Sequence, residues 1–138
     1  MPPAGTMTVM KILVVDDSEL IRFRLVRQIE AIPGVDRVLT ASGCMVAQHL
    51  VASMQATLAL VVLDLHLPDG DPVRLIPQFK REHQDLKVIV LTNDATDYNR
   101  QRCLQAGADG FFDKSTEFEQ LLTQLRQLSD PAFPRRSS

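Results

Sequence analysis

The sequence lacks the features of membrane, nucleic-acid-binding and disulfide-stabilised proteins. Its 138 residues have a net charge of -2, which leaves no basic excess for binding nucleic acid. The longest apolar runs have the length of a strand, far short of the roughly 20 residues of a membrane span. The two cysteines, Cys44 and Cys103, form no CxxC pair, so neither a disulfide framework nor a zinc site is indicated. Residues 1–8 lack a signal peptide's basic start and long apolar region. We therefore expect a cytoplasmic protein.

What the chain does have is a regular alternation of short apolar strands and helices. The predicted strands are Lys11–Val15, Asp36–Ala41, Leu58–Leu63, Lys87–Leu91 and Gly110–Asp113. Strands separated by helices predict a parallel sheet with helices on both faces. Pro77 is expected to kink or fray the third helix early. We expect residues 1–9 to be a flexible leader, residues 10–129 to be one domain and residues 130–138 to be a disordered tail.

Polar side chains follow four of the five predicted strands. The clearest case is the stretch Val61–Gly70, in which an apolar run stops at Asp64 and gives way to turn residues. The carboxyl ends of parallel strands share one edge of the sheet, where ligands of such folds bind. A single acid at a strand end is usually a solvated turn residue, but a coincidence of five polar groups is improbable. The expected cluster consists of Asp16, Asp17, Asp64, Thr92 and Lys114.

This combination favours phosphoryl chemistry assisted by a divalent cation. Three carboxylates in one cleft raise one another's pKa unless a cation joins them. Mg²⁺ (or Mn²⁺) is a hard ion that prefers oxygen ligands. The Asp64 carboxylate could then attack a phosphoryl group, since carboxylates form covalent aspartyl-phosphates. Lys114 would contribute charge and Thr92 a hydrogen bond to a phosphoryl oxygen.

The same residues lie in motifs that resemble those of the receiver domains of two-component response regulators, including the chemotaxis type. The matching segments are Val14–Asp17, Leu63–Gly70, Val90–Thr92 and Ala106–Lys114, and the resemblance spans residues 11–128. It implies a flavodoxin-like, doubly wound (βα)5 fold with five parallel strands in the order 2-1-3-4-5. It also implies a phosphorylated signalling protein that is not a conventional enzyme, because it catalyses only its own phosphorylation and autodephosphorylation.

The resemblance assigns a role to each residue of the acidic cluster. It implies that Asp64 accepts a phosphoryl group from a phosphohistidine of a sensor histidine kinase or histidine phosphotransfer protein. Asp17, Asp64 and the main-chain carbonyl of His66 are implied ligands of Mg²⁺, and Asp16 is implied to hold the ion through water. The His66 and Asp94 side chains are expected at the mouth of the site, where they would tune dephosphorylation.

The resemblance also implies which residues read the phosphorylated state, and one residue of the chain departs from the family. Thr92 and Lys114 are implied phosphate ligands, and Phe111 takes the position of an aromatic switch residue that is often Tyr. Permanent burial in the core is the alternative for Phe111. The responding surface would be the fourth helix, fifth strand and fifth helix, which is also a candidate homodimer surface. Ser115 replaces the family's usual proline; a cis bond there would cost about 3–4 kcal/mol, so we expect trans.

Two apolar residues of the first helix predict a docking site. Leu20 and Phe23 project away from the core-facing positions of that helix, near Asp17, and could contact the phosphodonor. The alternative is that the helix is rotated slightly and Leu20 is half-buried.

Several classes of function stay open at this point. The favoured one is a stand-alone receiver, since no DNA-binding domain fits after Ser129. The others are the receiver part of a longer, for example DNA-binding, regulator and a pseudo-receiver that binds partners without phosphate. A metal-dependent phosphatase is disfavoured because the sequence offers no separate general acid and no Walker loop.

Overall fold

The computed structural model describes residues 10–54 and 57–129, which form one sheet covered by helices on both faces. Within these residues the strands are β1 (Met10–Val15), β2 (Val35–Ala41), β3 (Leu58–Leu63), β4 (Lys87–Thr92) and β5 (Gly110–Asp113). The helices are α1 (Glu19–Glu30), α2 (Cys44–Ser53), α3 (Pro72–Glu82), α4 (Asp97–Ala106) and α5 (Phe118–Ser129). All strand pairs are parallel and their order is β2-β1-β3-β4-β5, so the predicted flavodoxin-like topology is confirmed.

The apolar character of β1, β3 and β4 follows from their burial on both faces. Successive side chains of a strand point to opposite faces, so Leu13 and Val15 of β1 pack with α2, α3 and α4, whereas Ile12 and Val14 pack with α1 and α5. Two hydrophobic layers therefore hold the sheet from either side. This packing fixes the carboxyl ends of the strands relative to one another, and the site is built at those ends.

Local capping starts three of the helices at that same edge. The side chain of Ser18 accepts a hydrogen bond from the Ile21 N–H at the start of α1, and Thr96 does the same for Asn99 in α4. Asp71 caps α3 through the Val73 N–H. Such caps satisfy amides that the first helical turn leaves without partners. The α2 helix differs, because its N-cap residue is Gly43 and has no side chain to offer.

The prediction that Pro77 would kink or fray the third helix early is wrong as regards fraying, and a kink at Pro77 stays a prediction. The α3 helix continues through Pro77 to Glu82. Leu75, Ile76 and Phe79 are buried against the sheet on both sides of the proline. Their burial outweighs the loss of one main-chain hydrogen bond. The Lys114–Ser115 peptide bond is trans, as expected, and residues 10–54 and 57–129 contain no cis bond.

Three further predictions concern the cysteines, a membrane span and the two ends of the chain. Cys44 and Cys103 are both buried and free, and burial is the main cause that raises the pKa of each thiol to about 11. No helix in the described part of the chain combines the length and apolar character needed to cross a membrane. The predicted leader (residues 1–9) and tail (residues 130–138) lie outside the described residues.

Candidate functional site

Three aspartates meet at the carboxyl edge of the sheet. The β1 and β3 strands are neighbours, with Val15 opposite Leu63, so the residues that follow them emerge side by side. One carboxylate oxygen each from Asp16, Asp17 and Asp64 lies within 4.8 Å of the others. Asp16 and Asp64 are buried and Asp17 is exposed. The structure therefore brings together the acidic cluster expected from the sequence.

The Lys114 side chain enters this cluster from the end of β5. Its ammonium nitrogen lies 2.7 Å from Asp16 Oδ2 and 3.4 Å from Asp64 Oδ2. The Lys114 main-chain N–H donates to the Thr92 carbonyl at 2.8 Å, which ties the β5–α5 loop to β4. Only 11% of the lysine side chain is exposed, so solvent screens these contacts little. One cation thus serves two buried carboxylates.

The electrostatic balance of the site leaves Asp64 short of positive charge. Burial is the largest influence and raises the pKa of Asp64. The Lys114 ammonium lowers that pKa, the Asp16 carboxylate raises it, and the His66 main-chain N–H lowers it. The net effect is a raised pKa, even though the Leu65 N–H also donates to Asp64 Oδ1 at 2.7 Å. A second cation would favour the ionised carboxylate.

These donors fit a hard divalent cation. The group offers three carboxylate oxygens at close range, and oxygen is the ligand type that Mg²⁺, Mn²⁺ and Ca²⁺ prefer. Asp17 gives the cluster an exposed side, through which an ion and a phosphoryl donor could enter. The charge count agrees, since Lys114 pairs with two acids of a cluster of three.

Thr92 ends β4 beside the cluster. The register pairs Leu63 with Val90, so Thr92 stands one residue beyond the level of Asp64. Its side chain is fully buried, and Oγ1 accepts a hydrogen bond from the Asp94 N–H at 3.0 Å. The hydroxyl hydrogen remains available for donation.

Phe111 is buried in the core layer that includes α4. The Arg100 guanidinium of α4 lies over the Phe111 ring, with Cζ 4.9 Å from the ring centroid. Arg100 also donates to the Phe111 carbonyl at 3.4 Å and lies 3.6 Å from Glu117 Oε1. Sequence reasoning missed this contact, because the two residues belong to different elements and carry no shared motif.

Two exposed features lie near the site. The His66 Nε2 atom is 3.5 Å from Asp94 Oδ2, so the two side chains predicted at the mouth do meet.

On α1, the exposed fractions of Leu20 and Phe23 are 64% and 58%, which excludes the alternative of a half-buried Leu20. A groove of about 550 Å³ between α1 and α5 is lined by Phe23 and also by Lys114.

Sequence reasoning also missed two residues that hold the site's loops. Arg22 on α1 donates through Nη1 to the Asp16 carbonyl at 2.7 Å, while the Ser18 N–H donates to Asp16 Oδ1 at 2.9 Å. Asp69, in the loop after β3, accepts hydrogen bonds from the first amides of α2. The only signal for Asp69 was its place in the Pro68-Asp69-Gly70 turn.

Comparison with known proteins agrees with this geometry. A sequence model described as the response regulator receiver domain matches residues 12–126. The chain belongs to the response regulator receiver family. Similar proteins include the response regulator GacA of Pseudomonas aeruginosa, 29% identical over 118 residues and covering 86% of this chain. The DNA-binding transcriptional activator DevR/DosR of Mycobacterium tuberculosis is 30% identical over 118 residues, also 86% of this chain. The receiver chain spans about half of either protein, 54%.

Solved structures support the same assignment. A response regulator from Burkholderia pseudomallei, with a phosphorylated aspartic acid, a calcium ion and citrate, has a TM-score of 0.74 and 27% identity. The match covers 84% of this receiver and 66% of that chain. A CheY-like receiver domain protein from Methanospirillum hungatei has a TM-score of 0.70 and 26% identity, with 88% and 94% covered. The predicted family is therefore confirmed.

Proposed function

We propose that this receiver accepts a phosphoryl group on Asp64 from a phosphohistidine of a sensor histidine kinase or histidine phosphotransfer protein. The observation that carries the proposal is the buried Asp64 carboxylate, grouped with Asp16 and Asp17 and contacted by Lys114 at 3.4 Å. This arrangement places the Lys114 ammonium beside Asp64, and a cation held by the three carboxylates would add the further positive charge that the phosphoryl oxygens need. We expect the receiver to act in the cytoplasm as a signalling module, without turnover of a free substrate.

Transfer would exchange one bond to phosphorus for another. An Asp64 carboxylate oxygen forms the new O–P bond as the N–P bond of the phosphohistidine breaks, and the bonding pair returns to the imidazole nitrogen. The Lys114 ammonium, already beside Asp64, pairs with a phosphoryl oxygen. Asp16, Asp17, Asp64 and the His66 carbonyl would hold Mg²⁺ or Mn²⁺. When bound, the ion supplies charge stabilisation for the phosphoryl oxygens.

The phosphorylated state would be detected by Thr92. Its hydroxyl can donate a hydrogen bond to a phosphoryl oxygen. In the unphosphorylated structure the same Oγ1 accepts a hydrogen bond from the Asp94 N–H. A shift of Thr92 changes the space beside Phe111, which lies on the neighbouring strand β5 and under Arg100. This shift would bias the equilibrium between two conformations of the α4-β5-α5 surface. A homodimer through that surface remains a candidate output.

The decisive experiment is intact-mass analysis after incubation with acetyl phosphate and Mg²⁺. Wild-type protein is expected to gain one phosphate and Asp64→Ala none. The matched control is Asp85→Asn, an exposed acid before β4 at the opposite edge of the sheet, which should gain phosphate like wild type. If no donor labels the wild type, the proposal fails and a phosphate-independent binding module becomes the better description.

A second candidate is the receiver portion of a longer regulator. The chain spans 54% of GacA and of the DNA-binding activator DevR/DosR, so relatives of this receiver occur beside further domains. Another relative, the protein-glutamate methylesterase/protein-glutamine glutaminase of Treponema pallidum, is 31% identical over 131 residues; the match covers 91% of this chain and 32% of that protein. Detection of a longer gene product by immunoblotting in the source cells would decide for this candidate.

The His66–Asp94 contact predicts control of the phosphoryl lifetime. The exposed His66 side chain and the half-exposed Asp94 side chain meet at 3.5 Å, where they would restrict the approach of water to Asp64. His66→Ala and Asp94→Ala are each expected to change the half-life of phospho-Asp64 severalfold, measured by loss of the added mass after removal of the donor. His83→Ala, distant at the end of α3, serves as control. An unchanged half-life in both variants would refute the tuning role.

The exposed Leu20 and Phe23 predict a docking surface for the phosphodonor. Phe23→Ala is expected to slow transfer from the cognate phosphohistidine protein by tenfold or more, because buried aromatic side chains contribute strongly to interfaces. Labelling by acetyl phosphate should stay normal, since that donor needs no docking. Leu104→Ala removes a comparably exposed apolar residue of α4 and should leave transfer intact. Equal transfer rates for both variants would contradict docking on α1.

A further inference from the structure

The α2 helix is capped by a side chain from another part of the chain. Its own N-cap residue, Gly43, makes no side-chain hydrogen bond. Instead, Asp69 in the loop after β3 accepts from the Cys44 N–H through Oδ1 at 2.6 Å and from the Met45 N–H through Oδ2 at 3.0 Å. These bonds lower the pKa of Asp69, so the cap is a carboxylate at neutral pH. One side chain thus ties the loop to α2 with both oxygens.

The loop and α2 fit closely at two glycines. A Cβ atom on Gly43 would lie 2.7 Å from Asp69 Oδ1. Gly43 has φ of -164°, an extended conformation open to any residue, so what a side chain there would meet is the Asp69 carboxylate in its capping position. A Cβ on Gly70 would lie 3.2 Å from Cys44 Sγ, and Gly70 also has φ of +156°. Asp69 and Gly70 of the loop therefore lie close to Gly43 and Cys44 at the start of α2.

The other end of the same loop contacts Asp64. The Leu65 N–H donates to Asp64 Oδ1 at 2.7 Å, and the His66 N–H also interacts with this carboxylate. Only Leu67 and Pro68 separate His66 from Asp69, and proline restricts the main chain between them. The hydrogen bonds between Asp69 and the start of α2 thereby limit where the His66 main chain can lie.

We propose that Asp69 is a positioning residue that fastens the loop of residues 65–70 to α2 and so holds the His66 main chain for Asp64 and its cation. This inference rests on the proposed function, in which the His66 carbonyl is a cation ligand. Residues that orient metal ligands from outside the ligand set commonly affect metal affinity by about 10- to 100-fold. If Asp69 only caps α2, its loss should affect stability and leave the affinity for Mg²⁺ unchanged.

The two roles can be separated by giving α2 a cap of its own. Asp69→Ala removes the carboxylate, and a second change, Gly43→Ser, places a capping side chain at the N-cap in the space so vacated. Asp69→Ala is expected to lower both the Tm and the Mg²⁺ affinity, the latter about tenfold or more by isothermal titration calorimetry without phosphodonor. The double variant should regain Tm but keep the weakened affinity.

A matched control shows whether any lost cap has the same effect. Thr96→Ala removes the cap of α4, which is not attached to this loop, and should lower Tm without a comparable loss of Mg²⁺ affinity. The positioning role is overturned if Asp69→Ala weakens Mg²⁺ binding no more than Thr96→Ala does, or if the double variant regains affinity together with Tm. Wild-type protein that binds Mg²⁺ yet gains no phosphate would refute the proposed function alone. Wild-type protein that does not bind Mg²⁺ would refute both.

Discussion

Replacement of Lys114 by alanine is expected to lower the free energy of unfolding by about 3–5 kcal/mol in Mg²⁺-free buffer. The lysine is the cation beside both Asp16 and Asp64, and its removal leaves two buried carboxylates without a counter-charge. Urea denaturation followed by far-UV circular dichroism measures the change. Circular dichroism is preferable to intrinsic fluorescence because the chain has no tryptophan and a single tyrosine.

Addition of Mg²⁺ should recover much of the stability lost in Lys114→Ala. The ion would bind the folded state and supply the missing positive charge, so it would stabilise the variant by an amount set by its concentration relative to Kd. The matched control is Lys80→Ala, which breaks the more exposed pair with Asp109 and should cost about 1 kcal/mol or less with no response to Mg²⁺. Equal losses for the two lysine variants would contradict a buried, charge-balancing role for Lys114.

The sequence predicts the fold and the acidic cluster well because both depend on one geometric rule. Parallel strands place their carboxyl ends on a single edge, so residues that follow separate strands can be assigned to one site without knowledge of any contact. Asp16, Asp17, Asp64 and Lys114 were found in this way and do meet in the structure. The exposed faces of Leu20 and Phe23 follow equally directly from helical periodicity.

Most of the contacts that sequence reasoning missed have a main-chain group as partner. Arg22 donates to the Asp16 carbonyl, Arg100 to the Phe111 carbonyl, and Asp69 accepts from the amides of α2. Every residue has such main-chain groups, so no sequence pattern marks the partner. The prediction that Pro77 would fray α3 failed because it used a local rule alone. Proline does weaken a helix interior, but burial of the neighbouring side chains in the tertiary structure outweighed that cost.

Replacement of Asp64 by asparagine is expected to abolish phosphate acceptance and yet to stabilise the Mg²⁺-free protein by about 0.5–2 kcal/mol at pH 7. Burial, only partly offset by Lys114, raises the pKa of Asp64 in the folded state. The folded state therefore binds the Asp64 proton more tightly than the unfolded state does. Ionisation of Asp64 consequently costs stability as the pH rises through the raised pKa, and this cost is absent below the unfolded value of about 3.9.

Asparagine keeps the size of Asp64 but removes its charge, so Lys114 is left paired with Asp16 alone. The stability difference between variant and wild type should therefore shrink as the pH falls from 7 towards 4, measured by urea denaturation at each pH. Saturating Mg²⁺ should reverse the order, because the variant lacks one carboxylate ligand. Asp85→Asn, an exposed control, should change stability by no more than about 0.5 kcal/mol at any of these pH values. An Asp64→Asn protein less stable than wild type at pH 7 without Mg²⁺ would contradict the raised pKa. The expected gain would mean that the receiver gives up stability to keep a partly compensated carboxylate ready for a cation and a phosphoryl group.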